Sequence, residues 1–496
     1  MPARNQHRFL LTEARVWCAL AVVVTVVLLF ISPDSYLCDI YNRGDSGIFY
    51  MSGKAWMNGL VPYDDFADGK GPLLWLIYGI GYLLSPRSYA GVFWLGCLNY
   101  VVTLYLVYSL ARLFLRGRRW PLLVAVLMLP AYFNVFVHHE IRAEDFEQLP
   151  VAASLLVTFA LLMSDRVTRR QSAWAGLTLG AGLGATLMIK YNVTLMLILP
   201  AVIAARAVVK EGRRALAEFS VCIIAGVLAL TVPFIIYFWN VGCLDDFVRE
   251  YGFNTINTTG FDDGLVSPKI MLFRLVEFHN LMGVLPGAVG VLLWAWLSHR
   301  LRWVPAMCFA WFLACTLLNG MWRYYYTILA VFAVFGFIAL AQHCRISLSG
   351  VAFAGLAGLA AVVCVGMRML TYEDFVACRS MMTQHNAKVT FERYEYAKVF
   401  DSVRNPKVIY WHCLGNPELS VRSHGLPACR RWFQQFGCSP RMAAEQDSAV
   451  YSRVSDFVMV RVGQSDDMQR LRQLGYRRVP FPTADYAGAM VIFAKE

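Results

Sequence analysis

VWCALAVVVTVVLLFISPDSYLCDIYNRGD, residues 16 to 45, passes from an uninterrupted apolar run to a polar, charged segment. Its first part, Val16 to Ile31, carries no charge and is longer than the core of a signal peptide. The segment Met1 to Arg15 ahead of it is polar and basic, and no small-residue cleavage site follows. The run therefore reads as a retained first membrane span, with Asp45 a short distance beyond its far end.

Outward from that span, apolar stretches recur near 89 to 115, 120 to 137, 149 to 163, 174 to 189, 193 to 209 and 219 to 239, then near 280 to 298, 303 to 319, 325 to 342 and 349 to 369. Each is long enough to cross most or all of about 30 Å of hydrocarbon as a helix with some tilt, so the chain reads as an α-helical polytopic membrane protein with about eleven transmembrane helices. Composition agrees: 58% of the 496 residues are hydrophobic and 16% charged, more apolar surface than a soluble core can hide.

The formal charge of +12 does not point to nucleic acid, because the basic residues lie in short clusters between apolar stretches. Arg116/Arg118/Arg119, Arg166/Arg169/Arg170, Lys210/Arg213/Arg214, His299/Arg300/Arg302 and Arg345 fall in every second loop, as the positive-inside rule requires. The N-terminus is then cytoplasmic, and the loops 34 to 88, 138 to 148 and 240 to 279 are outside, with the C-terminal segment. Pro72 to Ser85 is apolar but short for a span. Crossing there would turn the basic loops outward, so it reads as an interfacial or re-entrant helix.

Residues 1–369 thus form the membrane domain and 370–496 a soluble domain outside it. In the latter, KVIYWHC (407–413), FVMVRV (457–462) and the closing AGAMVIFAKE read as strands, and SDDMQRLRQLG (465–475) as an amphipathic helix with a Ser cap and a Gly stop: a small α/β fold. Cys38, Cys243, Cys378, Cys413, Cys429 and Cys438 all fall outside, where disulfides and free thiols are both compatible with the sequence; the spacings match no zinc motif.

The first outer loop runs on as SGIFYMSGKAWMNGLVPYDDFADGKGPLLW. Ser46 to Asn58 is amphipathic enough for a short helix on the membrane surface, NGLVPYDDF turns the chain, and Lys70-Gly71-Pro72 returns it to the interface. A carboxylate and an ammonium held at that surface suit an acceptor hydroxyl and a lipid phosphate. The second outer loop, HHEIRAEDFEQLP, gathers Glu140, Glu144, Asp145 and Glu147; Glu144 and Glu147, three apart, share a helix face. Adjacent His138 and His139 point apart on a helix and make a poor zinc pair.

Three features resemble the GT-C glycosyltransferases, especially the group related to protein O-mannosyltransferases and aminoarabinose transferases. Asp45 to Pro72 looks like that group's acidic residue after span one, then a glycine with Pro-Tyr (Gly59, Pro62-Tyr63), then a Lys/Pro element; here it is Lys-Gly-Pro instead of Lys-Pro-Pro. The acidic loop before span four is similar, as is Lys190-Tyr191-Asn192 at the outer end of a Gly-rich span. The resemblance implies an enzyme of a bacterial inner membrane that moves a sugar from a polyprenyl-phosphate donor to a glycan, lipid or protein acceptor on the periplasmic face, in cell-envelope glycan assembly.

On that reading Asp45 is the expected base, since an inverting transfer needs a carboxylate to take the acceptor's proton. An Asp there also suits the cap of a helix starting at Ser46. Glu144 and Asp145 are the second catalytic pair and the expected ligands if a divalent cation, Mg or Mn, takes part. Lys70, Arg43, Lys190 and Arg323 are candidates for the donor phosphate, because an oxyanion at low dielectric needs fixed positive charge. Tyr324, Tyr325 and Tyr326 beside Arg323 read as an interfacial aromatic belt, and the 240–279 loop as a lid or a plain connector. Competing functions are a lipid-linked saccharide flippase and an O-antigen polymerase or ligase. Charges at the outer rim and the absence of a visible repeat disfavour the first, and the early acidic loop disfavours the second.

Overall fold

A computed structural model describes residues 3–35, 45–134, 140–254, 268–298, 300–319, 323–344, 348–371, 398–413, 418–433, 440–480 and 490–496. In chain order its helices are α1 (Ala3–Ile31), α2 (Asp45–Met57), α3 (Pro72–Leu84), α4 (Ala90–Arg112), α5 (Arg119–Leu127), α6 (Leu129–Tyr132), α7 (Ala143–Met163), α8 (Arg169–Ile189), α9 (Tyr191–Val209), α10 (Arg213–Asn240) and α11 (Leu244–Phe247). A π-helix (Val248–Asn254) follows, then α12 (Pro268–Val276), α13 (Phe278–Leu297), α14 (Val304–Asn319), a 3-10 helix (Arg323–Phe332), α15 (Ala333–His343) and α16 (Gly350–Thr371). Among the described residues nine helical segments are long and apolar enough to cross a membrane. Two of the eleven expected spans fall short: 120–137 is the broken pair α5 and α6, interrupted at Met128 before Pro130, and 303–319 is the 16-residue α14.

The chain divides into two compact units that do not follow the linear division at 369/370. The first comprises Met1–Ser32, Gly96–Phe234 and Val266–Tyr372. Its packing is written in small residues. Gly176, Gly180 and Gly184 form one stripe of α8, and a Cβ on each would lie 2.7 Å from the Phe219 carbonyl oxygen, 2.1 Å from that of Ile223 and 2.9 Å from that of Val227. Backbone thus meets backbone, the means by which helices associate where lipid removes the hydrophobic incentive.

The second unit comprises Pro33–Leu95, Ile235–Leu265 and Glu373–Glu496, so the loop 34–88 belongs with the C-terminal segment. Its sheet contains β1 (Lys407–Tyr410), β2 (Leu426–Pro427), β3 (Phe457–Arg461), β4 (Tyr476–Arg478) and β5 (Met490–Lys495), in the order β2-β1-β3-β5-β4. β1 runs parallel to β2 and β3, while β5 is antiparallel to β3 and β4. The helices α17 (Glu418–Val421), α18 (Pro440–Tyr451) and α19 (Ser465–Gln473) accompany it, and Ile409, Trp411, Val458, Val460, Leu471 and Phe493 fill the core. The small α/β fold read from the sequence is present. Its helix α19 begins after Gln464, so Ser465 is its first residue rather than its cap, and Gly475 at φ 77° ends the turn beyond it.

The helix expected over 46–58 is present as α2, and nine of its thirteen residues, including Phe49, Tyr50, Met51 and Lys54, are buried within the protein. A Cβ on Gly53 would sit 2.4 Å from the Gly79 nitrogen and 2.8 Å from the Trp75 carbonyl oxygen, so α2 and α3 cross in backbone contact. Amphipathic patterning reports an apolar face but not what covers it. Cys243 and Cys429 are free thiols; Cys38, Cys378 and Cys438 lie outside the described residues.

Candidate active site

In the second unit, Asp45 occupies the first turn of α2, half-buried, where a carboxylate is favoured by the helix dipole. Phe49, four residues on, shares its face, and the Lys70 ammonium lies 5.4 Å from the centre of the Phe49 ring. Lys70 also faces Asp68 at 3.9 Å, and its carbonyl accepts a bond of 2.9 Å from the buried Tyr63 hydroxyl. The turn that carries it is closely packed: Tyr63 has a positive φ of 69° and packs on Trp75, Phe238 and Phe247. The Asp45 and Lys70 of the sequence reading thus border one face of one helix. Arg43, His138 and His139 lie outside the described residues.

Two further groups of this unit escaped the sequence reading. Asp34 is buried, and its Oδ1 accepts from Ser46 Oγ at 3.5 Å, next to the start of α2. Lys54 is 1% exposed and donates from Nζ to the carbonyls of Ser420 (2.7 Å) and Ser423 (2.6 Å). Burial pushes its ammonium down to about 7, with Asp401 opposing and Arg87 adding to the shift. The only local signal for Lys54 is a charge among the apolar residues of a helix.

In the first unit the acidic loop and the Lys-Tyr-Asn element do meet. Lys190 is a single extended residue between α8 and α9, with φ of −161° and ψ of 107°. Its ammonium pairs with Glu144 Oε1 at 2.5 Å and lies 3.3 Å from the centre of the Tyr325 ring. Both partners are more than nine-tenths buried, so each charge depends on the other and on the aromatic face. Arg142 pairs with Glu140 at 2.7 Å and lies 4.1 Å over Tyr324. Tyr324 and Tyr325 are therefore cation platforms and Tyr326 is fully buried, which replaces the aromatic belt. Arg323, half-buried, lies within electrostatic range of Arg142 and Glu277 and has no ion pair among the described residues.

Asp145 is used differently from its neighbour. Its Oδ2 accepts from the Arg142 backbone N–H at 2.7 Å, its Oδ1 accepts from the Tyr100 hydroxyl, and its carbonyl accepts from Asn99 at 2.8 Å. It caps α7. Adjacent residues on a helix point about 100° apart, so Glu144 goes to Lys190 while Asp145 goes to Tyr100. Among the described residues no three His, Cys, Asp or Glu side chains come together for a metal.

Residues 69–239 match the family model described as dolichyl-phosphate-mannose-protein mannosyltransferase. Among solved structures, ArnT from Cupriavidus metallidurans bound to undecaprenyl phosphate aligns with a TM-score of 0.60 and 15% identity, over 96% of this chain and 98% of that one. Its apo state gives 0.60 and 15% over 97% and 98%. The arabinofuranosyltransferase AftD from Mycobacteria gives 0.51 and 14% over 97% of this chain, which spans 40% of AftD. No curated protein sequence matches. At such identities the likeness is one of fold: the apolar helices and the small C-terminal sheet region follow a GT-C-like fold, as the sequence resemblance implied.

Proposed function

We propose that this chain is a membrane glycosyltransferase that moves a sugar from a polyprenyl-phosphate donor to an acceptor on the periplasmic face of a bacterial inner membrane, in cell-envelope glycan assembly. The observation that carries the reading is the match of residues 69–239 to the mannosyltransferase model within a chain whose fold follows ArnT along almost its whole length. The orientation rests on the alternation of basic loops.

Asp45 is the base that takes the acceptor's hydroxyl proton as that oxygen bonds to the anomeric carbon; the bond from that carbon to the phosphate oxygen breaks on the opposite face, with inversion. Polyprenyl phosphate leaves as an anion and needs a cation beside it. Lys70, which borders the Asp45 face of α2, is the first choice for that role. Arg323 is the second, since Lys190 already has its charge matched by Glu144. Glu144 and Lys190 then act together, the carboxylate fixing the ammonium. Asp145 supports α7 and is assigned no chemical step.

The test is lipid extraction from a deletion strain, which should contain a glycan lacking one sugar together with accumulated sugar-phosphate lipid. Complementation with Asp45→Asn should restore the protein to the membrane but not the glycan. Normal glycan in that strain would remove Asp45 from the mechanism. Unchanged lipids and glycan in the deletion strain would remove the function.

A further inference from the structure

The helix that begins at Asp45 is fastened at its other end to the C-terminal domain, through a buried lysine that the chemistry proposed above does not use. Lys54 lies in the last turns of α2. Its ammonium is held by two main-chain carbonyls, those of Ser420 on α17 and of Ser423 just beyond it. Those carbonyls are themselves fixed. The Tyr410 hydroxyl, at the end of β1, is 3.0 Å from Ser420 Oγ, and the Ser423 hydroxyl donates to the Ser420 carbonyl at 3.3 Å. Next to them His424 pairs with Asp401 at 2.8 Å, and Arg87 reaches the same carboxylate at 3.4 Å.

The rest of α2 is gripped as firmly. Gly53 is in backbone contact with α3, the Tyr50 hydroxyl donates to the Ser85 carbonyl at 2.6 Å, and the Trp56 indole donates to the Tyr237 hydroxyl at 2.9 Å. Burying an ammonium is costly unless its donors are used. A neutral apolar residue would fill the same space without that cost, so the lysine marks a constraint on position. We infer that Lys54 is a positioning residue for the transfer reaction, and that through it the C-terminal domain sets the place of Asp45.

The lever is short and stiff. Nine helical steps separate Lys54 from Asp45, about 13.5 Å at 1.5 Å per residue. A tilt of about 4° at the Lys54 end therefore carries the carboxylate through about 1 Å, a displacement that can cost roughly 100-fold in rate. Arginine can reach both carbonyls with its fork, glutamine can serve one, and methionine neither.

The inference rests on Asp45 being the base, and the test keeps the two apart. Full-length protein in lipid nanodiscs is given total lipid extract of the deletion strain as its donor pool, and release of polyprenyl phosphate is followed against pH. Lys54→Met should lower the saturated rate about 10- to 100-fold with the half-saturating amount of extract unchanged, and should move the acid limb of the pH–rate profile. Lys54→Arg should recover most of the rate and the wild-type limb. Simple loss of folded protein lowers the plateau without moving the limb, and that result overturns the inference, as does a Lys54→Met rate and profile equal to wild type. If Lys54→Met does not accumulate, the position of the acid limb in Lys54→Gln decides in the same way. Wild-type turnover in Asp45→Asn sinks the underlying mechanism instead; an inactive Asp45→Asn beside a wild-type-like Lys54→Met sinks only the positioning role.

Discussion

Lys54 carries a thermodynamic signature as well as a mechanical one. Its ammonium titrates near 10.5 when hydrated and about 7 where it is buried. Between those values the unfolded chain binds the extra proton and the folded chain does not, so stability rises with pH across that window, by up to about 1.4 kcal/mol per pH unit. The facing charges are Asp401, which favours the ammonium, and Arg87, which opposes it. Lys54→Met has no proton to lose. Its midpoint of thermal unfolding in detergent should therefore depend less on pH between about 7 and 9 than that of wild type, and an equal slope would contradict the assignment. The Glu144–Lys190 pair makes the complementary case. Removing either partner takes the opposite charge away from a buried ion, so Glu144→Gln and Lys190→Met should each cost about 3–5 kcal/mol. The double variant should regain much of that loss in a double-mutant cycle read by thermal unfolding.

At the level of elements, helices meet backbone to backbone at glycines, among them the stripe of α8 against α10 and Gly53 of α2 against α3. At Gly53 a methyl group would fall well inside van der Waals range of three main-chain atoms that belong to a helix and cannot rotate away. Gly53→Ala should therefore destabilise by about 1–3 kcal/mol or more, read as a lower unfolding midpoint, and should disturb α3 before α8 in hydrogen exchange. Helix existence was legible in the sequence because apolar length and basic loops are local signals. The partners of α2 were not, since its pattern gives one apolar face and the structure covers nearly all of it. Likewise Tyr324 and Tyr325 follow an aromatic-belt pattern, yet they stand under Arg142 and Lys190, which lie far away in the chain.

On the scale of the whole molecule the sequence makes a topological claim that can be checked without any substrate. Arg461→Cys, at the exposed end of β3, should react with a membrane-impermeant thiol reagent added outside spheroplasts, whereas Arg118→Cys, between α4 and α5, should react only after the membrane is opened. The reverse pattern would invert the sidedness of the proposed reaction. The polytopic helical class, the small α/β domain after the last span and the GT-C resemblance were all legible in the amino-acid order, because each depends on hydropathy, charge order or residues close together in the chain. Tertiary structure alone decided that Glu144 answers Lys190 while Asp145 caps α7, and that Lys54 is held by carbonyls from more than 360 residues further on. The physical reason is that what a charged side chain does depends on which groups replace the water it gives up. At these positions those groups come from parts of the chain that no local pattern brings together.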